Sequence, residues 1–141
     1  MNTTKRTRTD AERAMNALGG YIGRSQLCVL RSACYGEERE FFYDKLAELA
    51  ALVDAMPKTY EQDGKGDEAL VTLHYFSSGS DWYITEKDAS GGTSQAFGYA
   101  ILNGDGVNAE LGYIDIGELI ANGVEMDLYF KPRTLGEVKV A

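Results

Sequence analysis

Three runs of residues decide the fold of this chain: Ala69-Leu-Val-Thr-Leu-His-Tyr-Phe76, Asp81-Trp-Tyr-Ile-Thr-Glu-Lys-Asp88 and Gln95-Ala-Phe-Gly-Tyr99. In each run β-branched and aromatic residues alternate with polar ones, and turns rich in serine and glycine separate the runs. This pattern predicts an antiparallel meander with one buried face. The expected strands cover residues 70–76, 82–87 and 96–102, and both connections suit hairpins.

Further short elements are predicted after the meander. Glu110-Leu-Gly-Tyr-Ile114 suits a fourth strand, and the alternation of Met126, Leu128 and Phe130 with polar residues suits a fifth. Between these two strands, Asp115-Ile-Gly-Glu118 fits a capping box that opens one or two helical turns. Thr134-Leu-Gly-Glu137 fits another, at the start of a last helical turn.

The first part of the chain is predicted to be helical. Thr9 and Glu12 fit a capping box for a short helix, and Ser25 suits the N-cap of a second one. The longest helix is expected at residues 37–56, because apolar residues recur there at steps of three and four and form one stripe. That stripe consists of Phe42, Leu46, Leu49, Val53 and Met56.

These elements define an α+β fold in which N-terminal helices pack on a four- or five-stranded antiparallel meander sheet. We expect a disordered basic tail at residues 1–8 and a single domain at 9–141, with a helical part at 9–57 and a β-rich part at 69–135.

The 141 residues suffice for a substantial core, and their 44% apolar and 26% charged content is typical of soluble globular proteins. No apolar run approaches the roughly 20 residues of a membrane span, and no apolar segment follows the basic N-terminus, so a cytoplasmic location is expected.

The acidic charge lies almost entirely in the second part of the chain. Residues 1–58 hold nine Lys and Arg against eight Asp and Glu, whereas residues 59–141 hold five against fourteen, and the net charge is −8. A surface this acidic repels nucleic-acid phosphates, so direct nucleic-acid binding is not expected. It suits a protein partner with a basic surface, and solubility alone is the other explanation.

Few residues suggest catalysis or metal binding. Cys28 and Cys34 are expected to be buried small hydrophobic residues, and His74, the only histidine, to be a half-buried member of a strand. No metal site and no cofactor are predicted, since too few Cys and His ligands are present. The alternative to a binding protein is an enzyme or ligand-binding module in which His74 meets a carboxylate cluster. That cluster would consist of Glu86, Asp88, Glu110 and Asp127.

Several short aromatic motifs resemble an uncharacterised domain family of bacterial plasmids, integrative elements and phages. The matching segments lie within about residues 70–135: Asp81-Trp82-Tyr83, Glu86 with Asp88, Phe97-Gly98-Tyr99, Glu110-Leu111-Gly112-Tyr113, Glu118-Leu119 and Asp127-Leu128-Tyr129. Asp81 stands where the family often has threonine. The resemblance implies a mobile-element accessory protein, and such elements often carry small proteins that blunt host defences. Inhibition of a restriction or CRISPR-type nuclease is therefore the expected role.

The aromatic residues of the meander exceed what one buried sheet face requires. Trp82 and Ile84 point to one side of a strand and Tyr83 and Thr85 to the other, so some rings must lie on a second face. Either the long helix covers that face, or a partner protein does; pairing of the long helix in a homodimer is a further alternative. The candidate binding residues are Asp81, Trp82, Tyr83, Glu86, Asp88, Tyr99, Glu110, Tyr113, Asp127 and Tyr129.

Overall fold

The computed structural model describes residues 5–141 and contains five α-helices and seven β-strands in this part of the chain. The helices are α1 Arg8–Ala17, α2 Arg24–Ala33, α3 Arg39–Ala55, α4 Ile116–Ala121 and α5 Leu135–Val140. The strands are β1 Leu70–Val71, β2 Leu73–Ser77, β3 Ser80–Glu86, β4 Ala96–Ile101, β5 Glu110–Ile114, β6 Glu125–Met126 and β7 Arg133–Thr134.

The central feature is a five-stranded antiparallel sheet with the strand order β5-β4-β3-β2-β6, which confirms the predicted α+β class. β2 and β3 are joined by the two-residue turn Ser78-Gly79, and both residues have the positive φ (37° and 87°) that such hairpins need. β6 returns to the far edge beside β2 after the α4 crossover. β1 and β7 form a separate two-stranded pair.

The first face of the sheet is covered by the helices. Leu46, Leu49 and Val53 of α3 are buried in the same core cluster as Leu73 and Tyr75 of β2. The predicted apolar stripe of the long helix is therefore core. The Tyr75 hydroxyl, at the centre of this layer, donates a 2.5 Å hydrogen bond to the carbonyl of Tyr21.

The N-terminal helix begins earlier than predicted. Thr7 is its N-cap and forms a capping box with Asp10, so the box assigned to Thr9 and Glu12 was wrong. The same threonine-to-acid spacing occurs twice, two residues apart, and the hydrogen bonds from Thr7 lower the pKa of Asp10. The predicted basic tail was consequently too long: residues 1–4 lie outside the described residues, while Arg8 already belongs to α1.

Two expectations for α2 and one for the last strand also need correction. α2 begins at Arg24 after an N-cap at Gly23, so Ser25 lies inside the helix instead of capping it. Cys28 is exposed, and only Cys34 is buried. The predicted fifth strand ends at Met126, because the chain turns there and the Asp127 carboxylate accepts a hydrogen bond from the Tyr129 N–H.

The C-terminal helix α5 covers part of the second sheet face, for which the sequence had left open the long helix or a partner protein. The predicted capping box of Thr134 and Glu137 opens α5. Leu135 and Val138 of α5 then bury Val71 and pack against Tyr83, Tyr99 and Phe130. No helix within residues 5–141 is long and apolar enough to cross a bilayer.

Candidate functional site

His74 lies between two aspartates on the second sheet face. Its Nε2 is 2.7 Å from Asp81 Oδ1, and its Nδ1 is 3.0 Å from Asp127 Oδ2. The sheet register explains this arrangement. Asp81 pairs with Phe76 on the neighbouring strand, and the Asp127 N–H donates to the His74 carbonyl just beyond β6. The imidazole side chain is only 14% exposed.

This geometry favours a structural role for His74 over a catalytic one. Each ring nitrogen already faces a carboxylate oxygen within hydrogen-bonding distance. Neither nitrogen is then free to take a proton from a substrate. The two aspartates also lie against opposite nitrogens of one ring. Within residues 5–141, no three His, Cys, Asp or Glu side chains are arranged to hold a metal ion.

We expect the His74–Asp127 contact to stabilise the fold measurably. A double-mutant cycle of His74→Ala and Asp127→Asn should give a coupling energy of about 1 kcal/mol in urea unfolding, because the contact is partly shielded from solvent. A second cycle of His74→Ala with Asp54→Asn, on the exposed side of α3, should be additive. Equal coupling in both cycles would contradict a specific contact.

Tyr83 and Tyr99, two of the predicted binding residues, lie partly under α5. Tyr83 stacks on His74 with ring centroids 4.5 Å apart, and burial raises its pKa. The Lys139 ammonium of α5 lies 5.3 Å from the Tyr99 ring centre. Both rings are therefore half-buried inside the molecule.

The carboxylates expected to converge are dispersed. Glu110 of β5 and Asp127 after β6 lie at opposite edges of the sheet. Asp88 is buried and accepts hydrogen bonds from Ser90 and Gln95, and those from Ser90 lower its pKa most. The Asp88 carboxylate therefore stabilises the loop between β3 and β4. Glu86 is also buried. Because Glu110 and Asp127 lie at opposite sheet edges, the four carboxylates of the enzymatic alternative do not form one cluster.

Trp82 and Tyr129 also lie away from the second face. Trp82 packs against the core on the helical side of the sheet. Tyr129 stacks on Phe41 of α3, with ring centroids 6.4 Å apart, and the Lys45 ammonium lies 5.1 Å from its ring centre. Trp82 and Tyr129 therefore do not share a surface with Tyr83, Tyr99 and Tyr113.

The largest aromatic exposure on the second face occurs at the β5 edge. Tyr113 is 55% exposed, Leu111 is 45% exposed, and Tyr60, from the linker before β1, is 69% exposed. The hydroxyl groups of Tyr60 and Tyr113 hydrogen-bond to each other, and the Tyr113 ring meets Phe97 edge-on at 5.7 Å. We refer to Tyr60, Leu111 and Tyr113 as the β5 edge surface; Glu110 alternates to the helical face of the strand.

Tyr60 was absent from the predicted binding residues. The signal for it was weak: a single aromatic residue in an otherwise polar linker. Its backbone φ is +78°, a left-handed conformation that is uncommon for a bulky residue. The Tyr60 N–H donates to Glu86 Oε1 at 3.1 Å, which fixes this conformation.

A small pocket lies beside the β5 edge surface. Its volume is about 190 Å³, and its walls include Tyr60, Thr85, Glu86, Phe97, Leu111 and Leu135. A wider groove of about 1,100 Å³ lies between α2 and α4 and is open to solvent. The pocket is the more specific of the two, because it combines apolar walls with a buried carboxylate.

No protein-family model, curated protein or solved structure matches this chain. The family resemblance of residues 70–135 therefore remains an expectation.

Proposed function

We propose that this protein acts by binding a second protein with a basic surface through the β5 edge surface. The observation that carries the proposal is that β5 ends the sheet with no strand on its outer side in the described part of the chain, while Leu111 and Tyr113 are each about half exposed. Natural proteins usually protect such an edge with lysine, proline or a bulge. β5 has the sequence Glu-Leu-Gly-Tyr-Ile, which contains no lysine, proline or bulge and only one charged residue, Glu110, at its start.

An unprotected edge suits the addition of a partner strand. The backbone groups on its outer side offer hydrogen bonds, and the alternate side chains give specificity. Tyrosine is enriched at the centres of protein interfaces because it combines a large apolar ring with a hydroxyl group. Tyr60 and Tyr113 provide two such rings side by side.

The charge of the chain favours a basic partner. Residues 59–141 carry fourteen acidic and five basic side chains, and a field of this sign accelerates association with a positive surface. The same field disfavours nucleic acid, and it opposes the pairing of two copies that each carry a net charge of −8. We therefore favour a hetero-complex over a homodimer.

The motif resemblance suggests the biological setting of this complex. It is that of a mobile-element accessory protein, for which the basic nucleic-acid groove of a host-defence nuclease is a suitable target. In this proposal the acidic surface occupies that groove in place of nucleic acid. An enzymatic role for His74 is not proposed, because both ring nitrogens already contact carboxylates.

Site-specific photo-crosslinking in bacterial cells tests the proposal. A photo-reactive phenylalanine analogue at Tyr113 should capture one basic protein, and raising the salt concentration in lysate should reduce the yield. The matched control is the same analogue at Tyr35, which is 61% exposed and lies after α2. Equal capture from both positions, or no capture from Tyr113, would refute the proposal.

A further inference from the structure

Glu86 is a buried carboxylate without a cationic partner among residues 5–141. Only 5% of the residue is exposed, and its side chain takes part in no ion pair of the described residues. The neighbouring Lys87 ammonium donates instead to the carbonyls of Val53 and Asp54. Glutamate is rarely this buried unless a positive charge or a metal ion accompanies it. A cation is therefore expected to complete this site.

The hydrogen bonds of Glu86 leave it capacity for such a cation. Oε1 accepts from the Tyr60 N–H, and Oε2 accepts from the Thr85 hydroxyl at 2.5 Å. An ionised carboxylate has about four acceptor positions, of which these bonds use two. Because Glu86 lines the pocket, a cation in the pocket can contact the remaining positions.

The backbone of Tyr60 supports a binding role for the same pocket. A left-handed conformation is strained in a bulky residue, and such conformations cluster at ligand sites. Tyr60 adopts it with φ +78° while its N–H contacts Glu86 and its ring remains exposed. The left-handed residue and the buried carboxylate therefore meet at the pocket.

We infer that this pocket receives the side chain of a lysine from the basic partner, with its ammonium group on Glu86. The inference rests on the proposed function and names the chemistry by which the β5 edge surface selects its partner. Phe97, Leu111 and Leu135 supply apolar walls for the methylene stem of the lysine. The exposed Tyr60 ring offers a face for the cation.

The size of the pocket favours a side chain over a cofactor. Its volume of about 190 Å³ is below the roughly 300–1,000 Å³ of sites for drug-sized ligands. Lysine carries a compact charge at the end of a linear stem, whereas arginine carries a wider planar group. Two carboxylates line the pocket, the exposed Asp63 and the buried Glu86, and only Glu86 lies in its interior. The compact ammonium group of lysine is therefore the better fit to this small pocket.

Titration of the full chain with small probes tests the inference by NMR. n-Butylammonium should shift the backbone amide signals of Tyr60 and Thr85, and n-butanol, which has the same stem without the charge, should bind about tenfold more weakly or worse. An arginine side-chain probe, n-propylguanidinium, should also bind more weakly. This comparison needs no substitution and so does not depend on the folding of a variant.

Two variants then test whether the Glu86 carboxylate is the group that binds the ammonium of the probe. Glu86→Gln should weaken n-butylammonium binding about tenfold or more, whereas Glu68→Gln, which removes one exposed charge nearby, should leave it unchanged. Equal binding of n-butylammonium and n-butanol, or no shift at Tyr60, would overturn the inference. So would preferential binding of n-propylguanidinium.

The two proposals fail separately. If Tyr113 captures a basic protein but the pocket does not bind n-butylammonium, the lysine inference is wrong and the proposed function stands. If the pocket binds n-butylammonium but no protein is captured, the proposed function is wrong, the lysine inference falls with it, and the pocket is a site for a small amine.

Discussion

Replacing Gly98 by alanine is expected to destabilise the fold by about 3 kcal/mol or more, although it adds a single methyl group. Gly98 lies in β4 opposite Ile84 of β3. An added Cβ would overlap the carbonyl oxygen of Tyr83 and lie 3.0 Å from the Ile84 Cα. These are backbone atoms of a central strand, so they cannot move aside as a flexible side chain would. Urea unfolding followed by circular dichroism measures the loss.

Gly112 provides the matched control for this substitution. It is the register partner of Gly98 on β5, and an added Cβ there meets nothing within 4 Å. We expect Gly112→Ala to change the free energy of unfolding by less than about 1 kcal/mol. Similar losses from the two substitutions would contradict the close packing of β3 against β4.

The close approach at Gly98 coincides with an irregularity that builds the candidate site. The register shifts between Ile84 and Glu86, so that Glu86 pairs with Phe97 directly after Ile84 pairs with Gly98. Regular alternation would place Glu86 on the helical face with Ile84. The bulge instead brings Glu86 to the second face, where it lines the pocket. Gly98→Ala should therefore disturb the pocket as well as the sheet.

The periodic features of the fold were predictable from the sequence. The alternation in residues 70–102 predicted the neighbouring strands β2, β3 and β4, although the first predicted strand breaks at Thr72 and Leu70–Val71 pairs with β7 instead. The steps of three and four predicted the buried stripe of α3. The capping box of Thr134 and Glu137 was also correct. Each of these signals is local, since it depends on residues a few positions apart in the chain.

The arrangement of the site was not predictable, because it depends on contacts between distant residues. His74 contacts Asp127, 53 positions later, and Tyr60 contacts Glu86, 26 positions later. The bulge after Ile84, which brings Glu86 to the second face, has no clear sequence signal. The position of α5 on the second face likewise depends on where the chain returns after β6. Sequence periodicity carries no information of this kind.

The largest expected effect on binding comes from Leu111→Lys. A lysine at this position removes an apolar contact from the β5 edge surface and sets a positive charge against a basic partner. The new ammonium group also lies beside the pocket of Glu86, where it competes with a lysine of the partner. Because Leu111 is 45% exposed, the free energy of unfolding should change by less than about 1 kcal/mol. We expect affinity for the partner to fall about a hundredfold.

The central claim is that the β5 edge surface binds a basic protein. The most direct test measures the affinity of three purified chains for the protein that is crosslinked at Tyr113. The chains are the wild type, Leu111→Lys and Val29→Lys. Val29 is 69% exposed on α2, so the control adds the same charge to the helical layer. The account predicts that Val29→Lys stays within about threefold of the wild type while Leu111→Lys loses about a hundredfold. Wild-type affinity in Leu111→Lys, or an equal loss in both variants, would contradict it.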